Sequence, residues 1–196
     1  MLLGTDAIRQ ALCDGQIVCD PAPDRIESAH IDVHLGFTAW MFRLPWWWRI
    51  KAALLGMALS LRDTDPRRLF TPVSCIPFLA IPPRGFVLTH TRERIGSRPG
   101  SRIVPMLHTR STLARWGLSV CTANAGLGDE GYSSVWTLEI VNPHPCWIAL
   151  PYAARVGAIS FHRLDGNAVS YDPGTRYNPH STEWDPAALL PKQGNW

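Results

Sequence analysis

The sequence predicts a mainly β fold, a barrel or sandwich of short strands, and three observations carry that expectation. Short β-like runs follow one another from the middle of the chain onward, at 78–81, 86–90, 102–107, 118–122, 133–141, 147–150 and 156–164. Turn residues separate nearly all of them, and 17 prolines and 15 glycines in 196 residues supply the punctuation. No regular alternation of strand and long helix marks a parallel α/β sheet. At this length one domain over residues 1–196 buries a sufficient core without disulfide staples.

The N-terminal element is a short helix, with Thr5 as its cap, Asp6 near its positive end and Gly15 past its end. After Pro21 and Pro23 the segment His30 to Gly36 alternates, placing Ile31, Val33 and Leu35 on the core face of a strand. Residues 37–77 hold Trp40, Trp46, Trp47 and Trp48. From Trp47 the apolar positions Ile50, Leu54, Met57, Ala58 and Leu61 recur at helical spacing, with Leu55 and Leu59 on the far side. Such a helix is expected to be covered, by its own barrel or by a neighbouring subunit. The alternative is membrane-surface contact, with Arg43, Arg49 and Lys51 near lipid phosphates. Its uncharged part, Ala52 to Leu61, falls well short of the roughly 20 residues that span a bilayer, so no transmembrane segment is expected. Residues 62–77 read as a connection, and 165–196 as a C-terminal tail placed to close a site.

Composition narrows the function. The chain is 46% hydrophobic and 18% charged, a globular balance, and its formal charge of +3 does not by itself imply nucleic acid. That charge suits a small polyanion such as a triphosphate. Cys13, Cys19, Cys75, Cys121 and Cys146 form no C-x-x-C pair, so neither a disulfide framework nor a zinc site is indicated. No basic region followed by a long apolar core opens the chain, and a cytoplasmic setting with reduced thiols is expected.

Three segments carry chemistry. In Val135 to Val141 the strand period sends Trp136, Leu138 and Ile140 to one face and Thr137 and Glu139 to the other. A carboxylate there either meets water or lines a pocket where it handles protons. Thr109 to Leu118 sets Arg110 and Arg115 beside Ser111 and Thr112 on a loop or helical turn, a pattern that suits phosphate oxygens or plain solvated caps. Asn124 to Tyr132 is glycine-rich, contains Asp129, and reads as a β-hairpin leading into the Glu139 strand.

Taken together, Arg110-Ser111-Thr112-Leu113-Ala114-Arg115, Ala125-Gly126-Leu127-Gly128-Asp129-Glu130-Gly131-Tyr132 and Thr137-Leu138-Glu139 resemble the dCTP deaminase branch of the dUTPase-like superfamily. Leu12 to Ile17 resembles the family's opening helix and first strand, and Ile31 to Gly36 its D-x-R-L-G segment. Ile81 to Leu88, with Thr91 and Glu93, resembles its P-P-G-x-x-x-L and T-x-E stretch. Only the tryptophan-rich region is unmatched. Gly128 stands where the family usually has Ile or Val, and Ser133-Ser134 replaces a commoner ending with Gly.

The resemblance implies a distorted β-barrel of jelly-roll-like, dUTPase-like fold, assembled as a homotrimer with sites between subunits. It implies that Glu139 shuttles protons for a water attacking cytosine C4 without zinc, in keeping with the absence of an H-x-E plus P-C-x-x-C pattern. By the same matching, Ser111, Arg115 and the Ala125 carbonyl hold the water and support Glu139. Arg110 and Thr112 face the phosphates, Asp129 accepts the sugar 3′-hydroxyl, and Tyr132 lies under the deoxyribose. Tyr171, Arg176 and Tyr177 resemble a tail phosphate clamp, with His180 or Asn178 where a Gln is usual. Magnesium on the triphosphate and inhibition by dTTP are also implied. The alternatives are a bifunctional deaminase and diphosphatase, a plain dUTPase, or a non-catalytic nucleotide-binding regulator.

Overall fold

A computed structural model of the chain describes residues 1–60, 64–120 and 126–171. The elements run α1 (Thr5–Cys13), β1 (Ile17–Asp20), β2 (His30–Phe42), α2 (Trp46–Leu55), a 3-10 turn (Pro66–Leu69), β3 (Phe70–Ser74), β4 (Phe78–Ile81), β5 (Gly85–Ser97) and β6 (Ile103–Thr109). They continue with α3 (Ser111–Arg115), β7 (Ser119–Val120), β8 (Ser133–Asn142), β9 (Ile148–Pro151) and β10 (Arg155–Arg163).

The main sheet is ordered β6-β10-β2-β5-β8-β7, with β1 added to β5 and β3 to β2, while β4 and β9 pair separately. Neighbouring strands are antiparallel. The sheet's two ends approach each other, since the Thr109 hydroxyl at the end of β6 donates to the Val120 carbonyl of β7 at 2.8 Å. Leu127 adds a bridge to Met106 on β6. The result is the nearly closed, distorted barrel expected from the alternation of short strands and turns. Its interior is filled by residues such as Ile31, Val33, Leu35, Leu138, Ile140 and Phe161, all essentially without solvent contact.

Two long strands bend the sheet. In β2 the register against β5 shifts between Leu35 and Ala39, and in β5 the register against β8 shifts between His90 and Arg94. Bulges of this kind re-aim side chains and increase twist, which is how one strand serves two parts of a barrel. Gly36 lies at the first break, where a Cβ would come within 2.2 Å of the His90 ring. The imidazole fills that space, reaching the Thr38 hydroxyl at 3.1 Å through Nε2 and the Thr91 carbonyl at 2.9 Å through Nδ1.

Several local expectations need correction. The cap of α1 is Gly4, and the Thr5 hydroxyl instead donates to the Glu27 carbonyl at 2.9 Å, tying the helix to the chain before β2. The tryptophan-rich helix stops at Leu55 and not at Leu61, because Gly56 takes a left-handed conformation, φ 62°, and ends it. Residues 62–77 are more than a connection: β3 adds an edge strand to β2, with Pro72 opposite Trp40. Its sequence hides the strand, since a proline sits inside it and no residue of it is fully buried. Finally, α2 has no buried residue, so its own barrel does not cover it.

Candidate active site

The Thr109 to Leu118 segment folds as a single helical turn with a built-in stop. The Gly117 N–H donates to the Ala114 carbonyl and the Leu118 N–H to the Leu113 carbonyl, each at 3.0 Å, with Gly117 at φ 71°. This is a Schellman ending, in which glycine accepts the left-handed backbone and two apolar residues close over it. Leu113 and Leu118 are buried and anchor the turn in the core. Ser111 and Arg115, four residues apart, therefore project together from the opposite, exposed side, as does Thr112.

Arg110 has a partner within the chain. Its guanidinium pairs with the Asp32 carboxylate on β2, which also meets Arg155 at 3.5 Å. Asp32 belongs to the segment resembling D-x-R-L-G, and its neighbour His34 pairs through Nδ1 with the buried Glu93 carboxylate at 2.8 Å. Arg92 meets the same carboxylate at 3.0 Å. Sequence reading quoted Asp32 and Glu93 as parts of motifs without foreseeing these pairs. The only local signal was an acid on an otherwise core-facing strand.

Glu139 occupies β8 where the strand period placed it. Trp136, Leu138 and Ile140 are buried on the core side, while Thr137 and Glu139 stand half-buried on the other. Its cross-strand neighbour is Leu88 on β5, an apolar partner that offers no hydrogen bond. Burial pushes the Glu139 carboxyl pKa up, and a bond from its own backbone N–H opposes that shift more weakly. No other hydrogen bond or ion pair is made by this side chain among the described residues, and none links it to Ser111 or Arg115. A half-desolvated carboxyl whose pKa is raised by burial is suited to taking and returning a proton.

This arrangement has a stability signature. With its folded pKa raised above the unfolded value of 4.5, Glu139 binds more protons in the folded state between those two values. Its presence therefore favours folding most below the unfolded pKa, and that advantage is lost as pH rises through the folded one. Glu139→Gln should accordingly be more stable than the parent at neutral pH, with the gap closing as pH falls toward 4.5. Chemical denaturation of both proteins across that range checks the expectation; a gap that is constant with pH refutes it.

The glycine-rich segment is not a hairpin over its described part, residues 126–132. It lies as a loop against β6, with the Leu107 N–H donating to the Gly126 carbonyl at 2.7 Å and the Gly128 N–H to the Pro105 carbonyl at 2.9 Å. A Cβ on Gly128 would come within 2.9 Å of both Pro105 and Trp136. Trp136 thus fills the room that a larger residue at 128 would take, and its indole N–H is fixed on the Ile95 carbonyl at 2.8 Å. Asp129 is exposed on this loop. Tyr132 packs edge-on between Trp136 and Tyr171, with centroids at 5.1 and 5.3 Å.

Glu130 is the residue that sequence reading missed. Only 3% exposed, its carboxylate accepts from the Arg102 N–H at 3.1 Å, the Ser101 hydroxyl at 3.3 Å and the Ser170 hydroxyl. Its carbonyl accepts the Tyr171 N–H at 2.7 Å. One side chain thereby fastens the start of the tail to the loop bearing Asp129 and Tyr132. The position next to Asp129 was the only hint. Glu130→Gln replaces an acceptor-only group by one that also donates, and is expected to lower stability by about 1–3 kcal/mol and to speed protease cleavage after residue 165. Unchanged tail cleavage would show that the tail is held by other contacts. Ala125, Arg176, Tyr177 and His180 lie outside the described residues.

The barrel is of the dUTPase-like class. The 2′-deoxycytidine 5′-triphosphate deaminase of Agrobacterium tumefaciens shares it with a TM-score of 0.57 at 19% identity, over 81% of this chain and 46% of that one. The chain belongs to the dCTP deaminase-like family, whose model matches residues 2–164. Among curated relatives, the dCTP deaminase of Pyrobaculum islandicum is 28% identical over 170 residues, spanning 86% of this chain and 88% of the relative. A protein of Cytophaga hutchinsonii named dCTP deaminase, dUMP-forming, is 34% identical over 120 residues, spanning 59% and 67%.

Proposed function

We propose that this protein deaminates dCTP, or a closely related deoxycytidine nucleotide, to the corresponding deoxyuridine nucleotide. The observation that carries the reading is Glu139, a half-buried carboxyl with a raised pKa at the position where the family resemblance puts the proton carrier. In the proposed reaction Glu139 takes a proton from water as the hydroxyl oxygen bonds to cytosine C4. That proton is passed to ring N3, where uracil keeps it; the proton of the new C4 hydroxyl is then moved through Glu139 to the exocyclic amine, and the C4–N bond breaks to release ammonia and leave C4=O. Water and dCTP thus give dUTP and ammonia.

Ser111 and Arg115 share an exposed side of α3 and do not reach Glu139 within one chain. We infer that they serve a site completed by neighbouring copies, in a homotrimer. Asp129 and Tyr132, on the loop clasped by Glu130, hold the sugar. The pairing of Arg110 with Asp32 makes it a brace between β2 and α3 in the isolated chain, with phosphate contact requiring that pair to open. Among the described residues no group of three or more His, Cys, Asp or Glu forms a metal cage. Magnesium would then ride on the triphosphate, lowering the charge that the arginines must meet.

A second reading keeps Asp129 as a base for hydrolysis of dUTP, making the enzyme bifunctional; its support is the exposed position of Asp129 and the dUMP-forming relative. Incubating the pure protein with each deoxynucleoside triphosphate and magnesium, then separating products, tests both readings. Ammonia and dUTP from dCTP support deamination alone, and dUMP with pyrophosphate supports the bifunctional form. Tight binding of dCTP or dTTP with no product would indicate a regulator instead.

A further inference from the structure

We propose that α2 docks the protein peripherally on an anionic lipid bilayer. At helical spacing Trp46, Ile50, Leu54 and Trp47 fall within one arc about 100° wide. All four are exposed, by 73%, 49%, 79% and 48%. Leu55 lies outside this arc, beyond Lys51, and Met57 just past Gly56 is also exposed, at 45%. Trp48 and Ala52, on the far side of the helix, are its less exposed positions.

Charge decides what this face meets. Arg49 and Lys51 flank the apolar arc, one on each side, and both are exposed. The Lys51 ammonium lies over the Trp47 indole, 5.6 Å from its ring centroid, so the charge sits beside the apolar arc. From Val33 to Arg62 the sequence has no Asp or Glu, while Arg43, Arg49, Lys51 and Arg62 are basic. An apolar face bearing tryptophan, rimmed by cations and free of acids, is the chemistry of a helix lying in the headgroup region, where indoles sit at the interface and cations meet phosphates.

Other occupants fit less well. The barrel does not cover the helix, as no residue of α2 is buried. Packing of α2 on the α2 of another copy would set Arg49 and Lys51 against their counterparts, with no carboxylate in the segment to offset them, and packing on a different face of a neighbouring copy is decided by the assembly outcome of the test below. Spanning is also excluded for this element, since no helix among the described residues is long and apolar enough to cross a membrane.

The test is flotation of the full-length protein with vesicles of phosphatidylcholine and phosphatidylserine at about 7:3, against pure phosphatidylcholine. The parent should float with the anionic vesicles and much less with the neutral ones. Arg49→Gln with Lys51→Gln should lower partitioning roughly twenty-five-fold, taking about fivefold for each charge. Trp46→Ser with Leu54→Ser should remove flotation, and both variants should keep the parent's mass in solution, because the altered side chains are exposed. The proposal is overturned if the parent does not float, or if either double variant floats as well as the parent. It is also overturned if the parent forms a larger assembly that Trp46→Ser with Leu54→Ser dissolves, which would make a second copy the occupant of the face. None of these outcomes depends on the reaction proposed above.

Discussion

Glu139→Gln is expected to lower the rate of deamination by about a hundred- to ten-thousand-fold, the range that a positioned acid–base group contributes. The amide has nearly the shape of the carboxyl and keeps the packing against Leu88, but it cannot cycle a proton. Nucleotide binding should survive, since the sugar and phosphate contacts are assigned to other residues. The loss should therefore appear in kcat with KM little changed. The same variant should be the more stable protein near neutral pH, because burial disfavours the charge that it removes. Gain in stability with loss of turnover identifies a group kept for chemistry. Full turnover in Glu139→Gln would remove the basis of the proposed mechanism.

Phe161→Ala should produce the largest loss of stability, about 3–5 kcal/mol, the range found when a fully buried aromatic is cut to a methyl group. Phe161 has no solvent exposure and lies on β10, which pairs with both β2 and β6. Its carbonyl also accepts the Leu3 N–H at 2.9 Å, so the same position ties the N-terminal segment to the barrel. The cavity left by the ring would sit beside β10 and β2, which cannot close over it because each is fixed by pairing on both sides. Urea unfolding measures the change; a loss below about 1 kcal/mol would mean that the core relaxes around the missing ring.

The strands and the helical turn were legible where a local rule governs them. The period of β8 separated Glu139 from Leu138 and Ile140, and the 109–118 segment read as a loop or helical turn is the turn α3. Reading failed where packing overrode the local pattern. Apolar spacing carried the tryptophan-rich helix past Gly56, yet the backbone there is left-handed. β3 was read as a connection because an edge strand with an internal proline and three of its five residues exposed shows no clean alternation. The glycines at 126, 128 and 131 suggested a hairpin, whereas Gly126 and Gly128 join their backbone to β6.

By itself the sequence determined the mainly β class and the face on which Glu139 stands, since each follows from periods within a few residues, while the joint projection of Ser111 and Arg115 waited on the structure showing a helical turn. Tertiary structure alone decided that Arg110 meets Asp32, 78 positions away, and that Glu130 reaches Ser101, Arg102 and Ser170. It also decided that Glu139 is desolvated beside Leu88 and that no residue of α2 is buried. The physical reason is that charge pairing and burial depend on what the fold brings alongside a residue, and no local period encodes a partner dozens of residues away.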